Sequence, residues 1–402
     1  MPGPVTPGFA FKREAHDGHA RAATFTTPHF TVSTPTFMPV GTQGSVKGLS
    51  PEEVVSTGAQ IVLGNTYHLW LRPGPELVHA LGGLHGFSKW PRAMLTDSGG
   101  FQAFSLAQEG PRSGVSKVTA GAKTTEDGVA FRSHLDGSRR LMSPEESMRI
   151  QGLLGADIAM QLDQCPPLGG DGLRDRRGIE AAVARTTRWA SRCLEVWRRD
   201  FRPQKQALFG IVQGGTFDDL RVAHAEELAA LDADRGGFDG LALGGYSVGE
   251  PMELMYQSLA NVAHHLDAER PRYLMGVGTP PDLLEGIEHG VDMFDCVLPT
   301  RNARNGQALT RFGKVSIKQA RFREDPRPLD ETCGCPCCAG GYSRAYLRHL
   351  FIAGEMLVLR LFSVHNLWLY GALMRDARAA IVAGRYAAFK REWLDRYARG
   401  ME

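Results

Sequence analysis

The chain has 402 residues, 43% hydrophobic and 22% charged, ordinary globular values with ample length for a large core. No apolar run approaches the roughly 18 residues a membrane span needs, and the N-terminal MPGPVTPGFAFKREAHDG lacks the charged-then-apolar pattern of a secretory signal. Those exclusions lead to the expectation of a soluble, cytoplasmic protein, while a net charge of +2 says little about partners.

In chain order, TFTTPHFTVSTPTF alternates as a β-hairpin does and predicts an N-terminal β extension over residues 1–36. Eight short β-like runs follow. They are FMPVGT (37–42), IVLGN (61–65), AMLTDSGG (93–100), DIAMQLD (157–163), ALFGIVQGG (207–215), GLALGGYSVG (240–249), RYLMGVG (272–278) and MFDCVLPT (293–300). Helical segments fit the gaps. SPEESMRIQGLLGA opens with a Ser-x-x-Glu capping box at Ser143 and Glu146. RDRRGIEAAVARTTRWASRCLEVWRRD and FDDLRVAHAEELAAL both carry a helical apolar period. Alternating β/α units in this number predict an α/β fold, a (β/α)8 TIM barrel over residues 37–311, rather than a doubly wound sheet. VAFRSHLDGSRRLMS (129–143) reads as a hairpin inserted after the third strand. Near residue 312 the composition shifts to a Cys-rich insert, expected to end at 365, and residues 366–402 read as a helical tail packed on the barrel.

Reactive groups in such barrels sit at the C-terminal ends of the strands. Those ends carry Asn65, Asp97, Asp163, Gln213, Gly244, Gly245, Gly276 and Asp295. A single strand-end Asp is more often a helix cap or loop hydrogen-bonder. Three carboxylates and two amides converging on one mouth fit that reading poorly. The chain has no phosphate-binding glycine loop, dinucleotide fingerprint or nucleophile elbow, and GGLHGFSKW is a turn signal. His68 stands alone and reads as structural. Carboxylate chemistry remains: paired acids cleave glycosidic bonds, one as nucleophile and the other as proton donor and acceptor. Just beyond Asp295, residues 301–327 hold eight Lys and Arg against Glu324 and Asp325. That stretch is either a solvated loop face or an attractor for a polyanion such as RNA.

Of the seven cysteines, Cys165, Cys193 and Cys296 are scattered, while Cys333, Cys335, Cys337 and Cys338 crowd together. In a reducing cytoplasm such a cluster reads as metal ligation rather than disulfides. Cys333, Cys335 and Cys338 form C-x-C-x-x-C, and His365 follows 27 residues later. Three thiolates and an imidazole suit a closed, structural Zn2+ site that ties the insert to the C-terminal helix. Cys337 could replace Cys335 or Cys338 as ligand.

The strings IVLGNTYHLWLRPG, LTDSGGFQAFSL, LDQCPP, FGIVQGG, LALGGYSVGE, YLMGVGTP and FDCVLPTRNARNGQ, with C-x-C-x-x-C and a later HN, stand in one order. Together they resemble the bacterial tRNA-guanine transglycosylases, from about residue 10 to the C-terminus. The resemblance implies a zinc-containing barrel that exchanges wobble guanine-34 for the aminomethyl 7-deazaguanine preQ1, in queuosine biosynthesis. Its substrates would be tRNAs with GUN anticodons (for Asp, Asn, His and Tyr) and a U-G-U core in the anticodon loop, and the enzyme would work as a homodimer. By the same resemblance Asp295 is the nucleophile that forms a covalent bond to ribose C1′, and Asp97 is the acid/base. Asp163, Gln213 and the backbone of Gly245 read the base, with Ser98 beside them, and Phe101 and Met275 sandwich it. Arg301, Arg304 and Lys47 contact the RNA backbone, and Cys333, Cys335, Cys338 and His365 bind zinc. Neither ATP nor nicotinamide is implied.

This chain departs from the family pattern in places. Phe101 replaces a frequent Tyr, Gln164 a frequent Glu, and Tyr246-Ser247 a commoner Leu-Ala; one extra residue precedes His365. Tyr246 borders the base pocket. Cys165 and Val248 are the bacterial-type residues and favour preQ1 over queuine. Queuine salvage and a non-catalytic tRNA-binding partner subunit are the competing readings, but the latter would not need Asp97 and Asp295 together.

Overall fold

A computed structural model describes residues 6–108, 122–166, 175–202, 205–231 and 236–400. It opens with an antiparallel sheet of β1 (Ala10–Asp17), β2 (Ala20–Thr26) and β3 (Thr31–Thr34). The expected hairpin is β2–β3. β1 goes beyond it, an edge strand whose AFKREAHD is mostly exposed and so lacks the apolar alternation that marks a half-buried strand.

Next come β4 (Thr36–Gly41), β5 (Ile61–Gly64) and β6 (Ala93–Thr96), then an insert of β7 (Lys123–Thr124), β8 (Val129–Arg132) and β9 (Arg139–Met142). β10 (Ile158–Met160), β11 (Ala207–Val212), β12 (Gly240–Leu243), β13 (Arg272–Leu274) and β14 (Met293–Cys296) complete a closed parallel barrel in which β14 pairs with β4. All eight runs read from the sequence are its strands. They are legible because both faces are buried, giving short apolar runs. Met38, Val40, Ile61, Leu63, Leu95, Met160, Phe209, Ile211 and Met293 pack as one inner core. Phe37, Val62, Met94, Leu208, Leu241 and Phe294 belong to the outer core shared with the helices.

The N-terminal sheet plugs the barrel floor: Phe9 stacks on Phe25 at 5.9 Å and meets Phe209 edge-on at 6.0 Å. Three buried aspartates brace the same end. Asp157, Asp239 and Asp292 precede β10, β12 and β14 and accept the backbone N–H of Met94, Leu208 and Arg272 at 2.7–3.0 Å. Asp292 also pairs with the buried Arg21.

Ser143 caps the helix Pro144–Leu154 through the Glu146 N–H at 3.1 Å. The reciprocal half of the expected capping box does not form, because the Glu146 carboxylate takes a bidentate pair from Arg149 instead. Beyond the barrel, β15 (Gln307–Thr310) and β16 (Gly313–Ser316) form a hairpin. The last long helix runs from Met356 to Val382 rather than starting near 366, so His365 sits inside it. This helix is long and apolar enough to cross a membrane, although no unbroken apolar run announced it. Its Phe362, Tyr370, Leu373 and Ile381 are buried in the protein, as in a core helix. Arg174, the first residue of the second expected helix, and Pro167 of LDQCPP lie outside the described residues.

Candidate active site

β6 ends at Thr96, which leaves Asp97 at the barrel mouth. Its carboxylate accepts from Asn65 Nδ2 at 2.5 Å and from the Thr66 N–H at 2.7 Å. The second donor belongs to the first turn of the helix Thr66–Leu71, where backbone N–H groups have no partner within the helix. Burial pushes the Asp97 carboxyl up to about 6, and the neighbouring charge of Asp295 pushes it the same way. An acid so poised exchanges a proton near neutral pH.

Asp295 follows Met293 on β14 by two residues, so it shares the inward face. Its Oδ1 accepts both the Tyr273 hydroxyl at 2.6 Å and the Gly276 N–H at 2.7 Å. Burial raises its pKa, and these two donors oppose that rise. Tyr273 was missed by the sequence reading. Its signal was the two-residue period of RYLMGVG, which puts Tyr273 on the same face as Met275.

Asp163 is bridged on both oxygens, by Ser98 Oγ at 3.1 Å and by Gln213 Nε2 at 2.7 Å. Burial raises its pKa as well. Gln213 lies tight under Gly244 and Gly245: a Cβ there would stand 2.7 Å and 2.5 Å from its amide, so a side chain at either position would force Gln213 to shift. Phe101, 47% exposed, opens the helix Gly100–Gln108, and Met275 is half-buried just after β13. Tyr246 is buried: its ring lies under the Arg221 guanidinium at 3.7 Å and its hydroxyl pairs with Ser258 at 2.8 Å. Val248 packs against a small cluster of Ile179 and Val183, and Cys165 is half-buried two residues after Asp163. Arg301 is exposed on the helix Leu298–Arg304, directly after β14, while Arg304 donates to Thr300 O at 2.9 Å. Lys47 is exposed in the loop after β4. His68 is not alone, as the sequence had it: the His134 ring from the β8–β9 turn lies 5.8 Å away. Burial, then the charges of His134 and Lys47, lower the His68 pKa.

Outside the barrel, the ligand atoms of Cys333, Cys335, Cys338 and His365 all lie within 4.8 Å of one another. His365 Nδ1 faces the sulfurs of Cys335, Cys338 and Cys333 at 3.3, 3.4 and 3.7 Å. A tetrahedral ion with Zn–S of about 2.3 Å and Zn–N of about 2.0 Å would set them roughly 3.5 Å apart. The other ring nitrogen, Nε2, meets Leu309 O of β15 at 2.9 Å, which fixes the tautomer and frees Nδ1 for a metal ion. Cys337 is buried nearby but outside this group of four.

Barrel, neighbouring buried carboxylates at its mouth and a Cys3His cluster that could hold a metal ion thus describe a (β/α)8 protein with candidate acid-base groups at its strand ends. Comparison with known proteins narrows that class. A family model described as Queuine tRNA-ribosyltransferase matches residues 16–399. Proteins of that name from Sorangium cellulosum (64% identical; 97% of this chain, 92% of the relative) and Solidesulfovibrio magneticus (53% identical; 96% of each chain) align over nearly the full length. So does one from Nitratidesulfovibrio vulgaris, 53% identical over 97% of each chain. The chain belongs to the queuine tRNA-ribosyltransferase family.

Proposed function

We propose that this chain exchanges the wobble guanine of GUN-anticodon tRNAs for preQ1 through a covalent Asp295–ribose intermediate. The carrying observation is that, among the described residues, both donors to Asp295 fall on Oδ1, which leaves Oδ2 for attack. In the first half-reaction Oδ2 bonds to C1′, the C1′–N9 bond breaks, and its electron pair leaves with guanine, which takes a proton from Asp97. In the second, Asp97 removes the N9 proton of the incoming base, N9 bonds to C1′, and the ester electron pair returns to Asp295. Chemistry at C1′ needs the target nucleotide out of its stack, and an anticodon loop makes that inexpensive. Asp163 accepts the N1–H and exocyclic amine of guanine; adenine has no 2-amino group and would turn the lone pair of N1 towards the buried carboxylate.

Zinc in the Cys333, Cys335, Cys338 and His365 site would be structural, since four protein ligands leave no open position. Arg301, Arg304 and Lys47 stand at the rim where RNA phosphates would pass, and the enzyme is expected to act as a homodimer in the cytoplasm. Incubation with tRNA and guanine, followed by denaturing electrophoresis, should give an RNA-protein adduct that Asp295→Ala abolishes. An adduct that persists in that variant would refute the nucleophile. Competition of labelled guanine-tRNA with preQ1 and queuine decides the incoming base.

A further inference from the structure

Arg221, in the first turn of the helix Asp218–Ala230, is fully buried. Among the described residues no carboxylate pairs with it. Its guanidinium instead donates from Nε to Gly215 O at 2.7 Å, from Nη1 to Gly244 O at 2.9 Å and from Nη2 to Gly245 O at 3.2 Å. Its fourth contact is the Tyr246 ring, 3.7 Å from centre to guanidinium. The three carbonyls belong to the loops after β11 and β12, the loops that also carry Gln213 and Gly245. A Cβ on Gly214 would stand 2.5 Å from Arg221 Cγ, so the first of these loops closes directly on the arginine stem.

Peptide planarity gives these bonds a consequence. In a trans peptide the C=O of Gly244 and the N–H of Gly245 point in opposite directions. Because Arg221 holds the carbonyl, the Gly245 N–H is directed away from it, and among the described residues that N–H donates to no protein group. A wall held this way offers a purine a donor and withholds the carbonyls. It suits a 6-oxo group and opposes a 6-amino group. Flipping the peptide to present a carbonyl would strip a buried cation of a partner, which is costly where water does not replace it.

We propose that Arg221 is a positioning residue that sets the selectivity of the base pocket for 6-oxo over 6-amino purines by pinning the Gly244–Gly245 peptide, with the Tyr246 ring supporting the guanidinium. This rests on the reading of Asp163, Gln213 and Gly245 as the base pocket. The test is guanine exchange into tRNA with 2,6-diaminopurine as competitor, a base that keeps the 2-amino group and replaces the 6-oxo group by an amine. Arg221→Lys should raise KM for guanine more than it lowers kcat, and should reduce the guanine-to-competitor selectivity by roughly tenfold or more. Tyr246→Leu, which leaves all three hydrogen bonds in place, should move selectivity in the same direction by a smaller factor, and it keeps the test open should Arg221→Lys fail to fold. Unchanged selectivity in the variants that fold overturns the proposal, as does a loss of kcat with KM unmoved. Asp163→Asn distinguishes the underlying reading: if it too leaves KM for guanine unchanged, the pocket assignment is what failed.

Discussion

Asp97 carries an electrostatic penalty that the proposed acid-base role requires. Its folded-state carboxyl titrates at about 6 against an ordinary value of 3.8, so the folded protein holds this proton more tightly than the unfolded chain does. The stabilisation is present below the unfolded value and is lost as pH rises through the folded one, a loss that reaches about 3 kcal/mol at neutral pH for a fully buried group. Asp97→Asn removes the titration. The variant should therefore melt higher than the parent at pH 7.5, with the gain fading towards pH 4, while guanine release in a single turnover falls to near background. A variant less stable at pH 7.5 by thermal melting would contradict the assignment of burial as the cause. In the parent, adduct formation should slow above a pH of about 6 as the proton that guanine needs is lost.

The Cys-rich insert and the long C-terminal helix meet at His365, whose Nδ1 faces three sulfurs while its Nε2 holds Leu309 of β15. Asn366, the next residue, accepts the Leu309 N–H at 2.8 Å and donates to Pro299 O at 2.8 Å, so the candidate metal site and the end of the barrel share one helix. Metal analysis by mass spectrometry should give one zinc per chain in the parent and in Cys337→Ser, and less than one in Cys335→Ser, with a lower melting temperature for the latter. Loss of zinc in Cys337→Ser would move Cys337 into the ligand set. The ligand spacing was legible in the sequence because C-x-C-x-x-C is a local pattern. The extent of the helix was not: its polar residues interrupt every apolar run, and its burial comes from the barrel wall it covers. The edge strand β1 escaped for the opposite reason, since a strand with little to bury leaves little apolar pattern.

Across the molecule, the exposed Arg301 stands beside the mouth that holds Asp295 and Asp97. tRNA binding should weaken linearly with salt on logarithmic axes, and Arg301→Ala should reduce that slope by about 0.7 to 0.9, the share of one phosphate contact. A variant with weaker binding but an unaltered slope would remove Arg301 from the RNA interface. The sequence alone determined the barrel, because strands buried on both faces must be continuously apolar and must alternate with helices that cover them. It also marked which side chains end those strands. Only the tertiary structure separated aspartates of like appearance. DIAMQLD begins with Asp157 and ends with Asp163, yet the first accepts the Met94 N–H on the barrel floor and the second is held between Ser98 and Gln213 at the mouth. Strand direction in a closed barrel assigns these ends, and so do the donors that reach each carboxylate from distant positions in the chain. The bond from Tyr273 to Asp295 and those from Arg221 to the loops after β11 and β12 became visible only there, since they join residues that no local pattern connects.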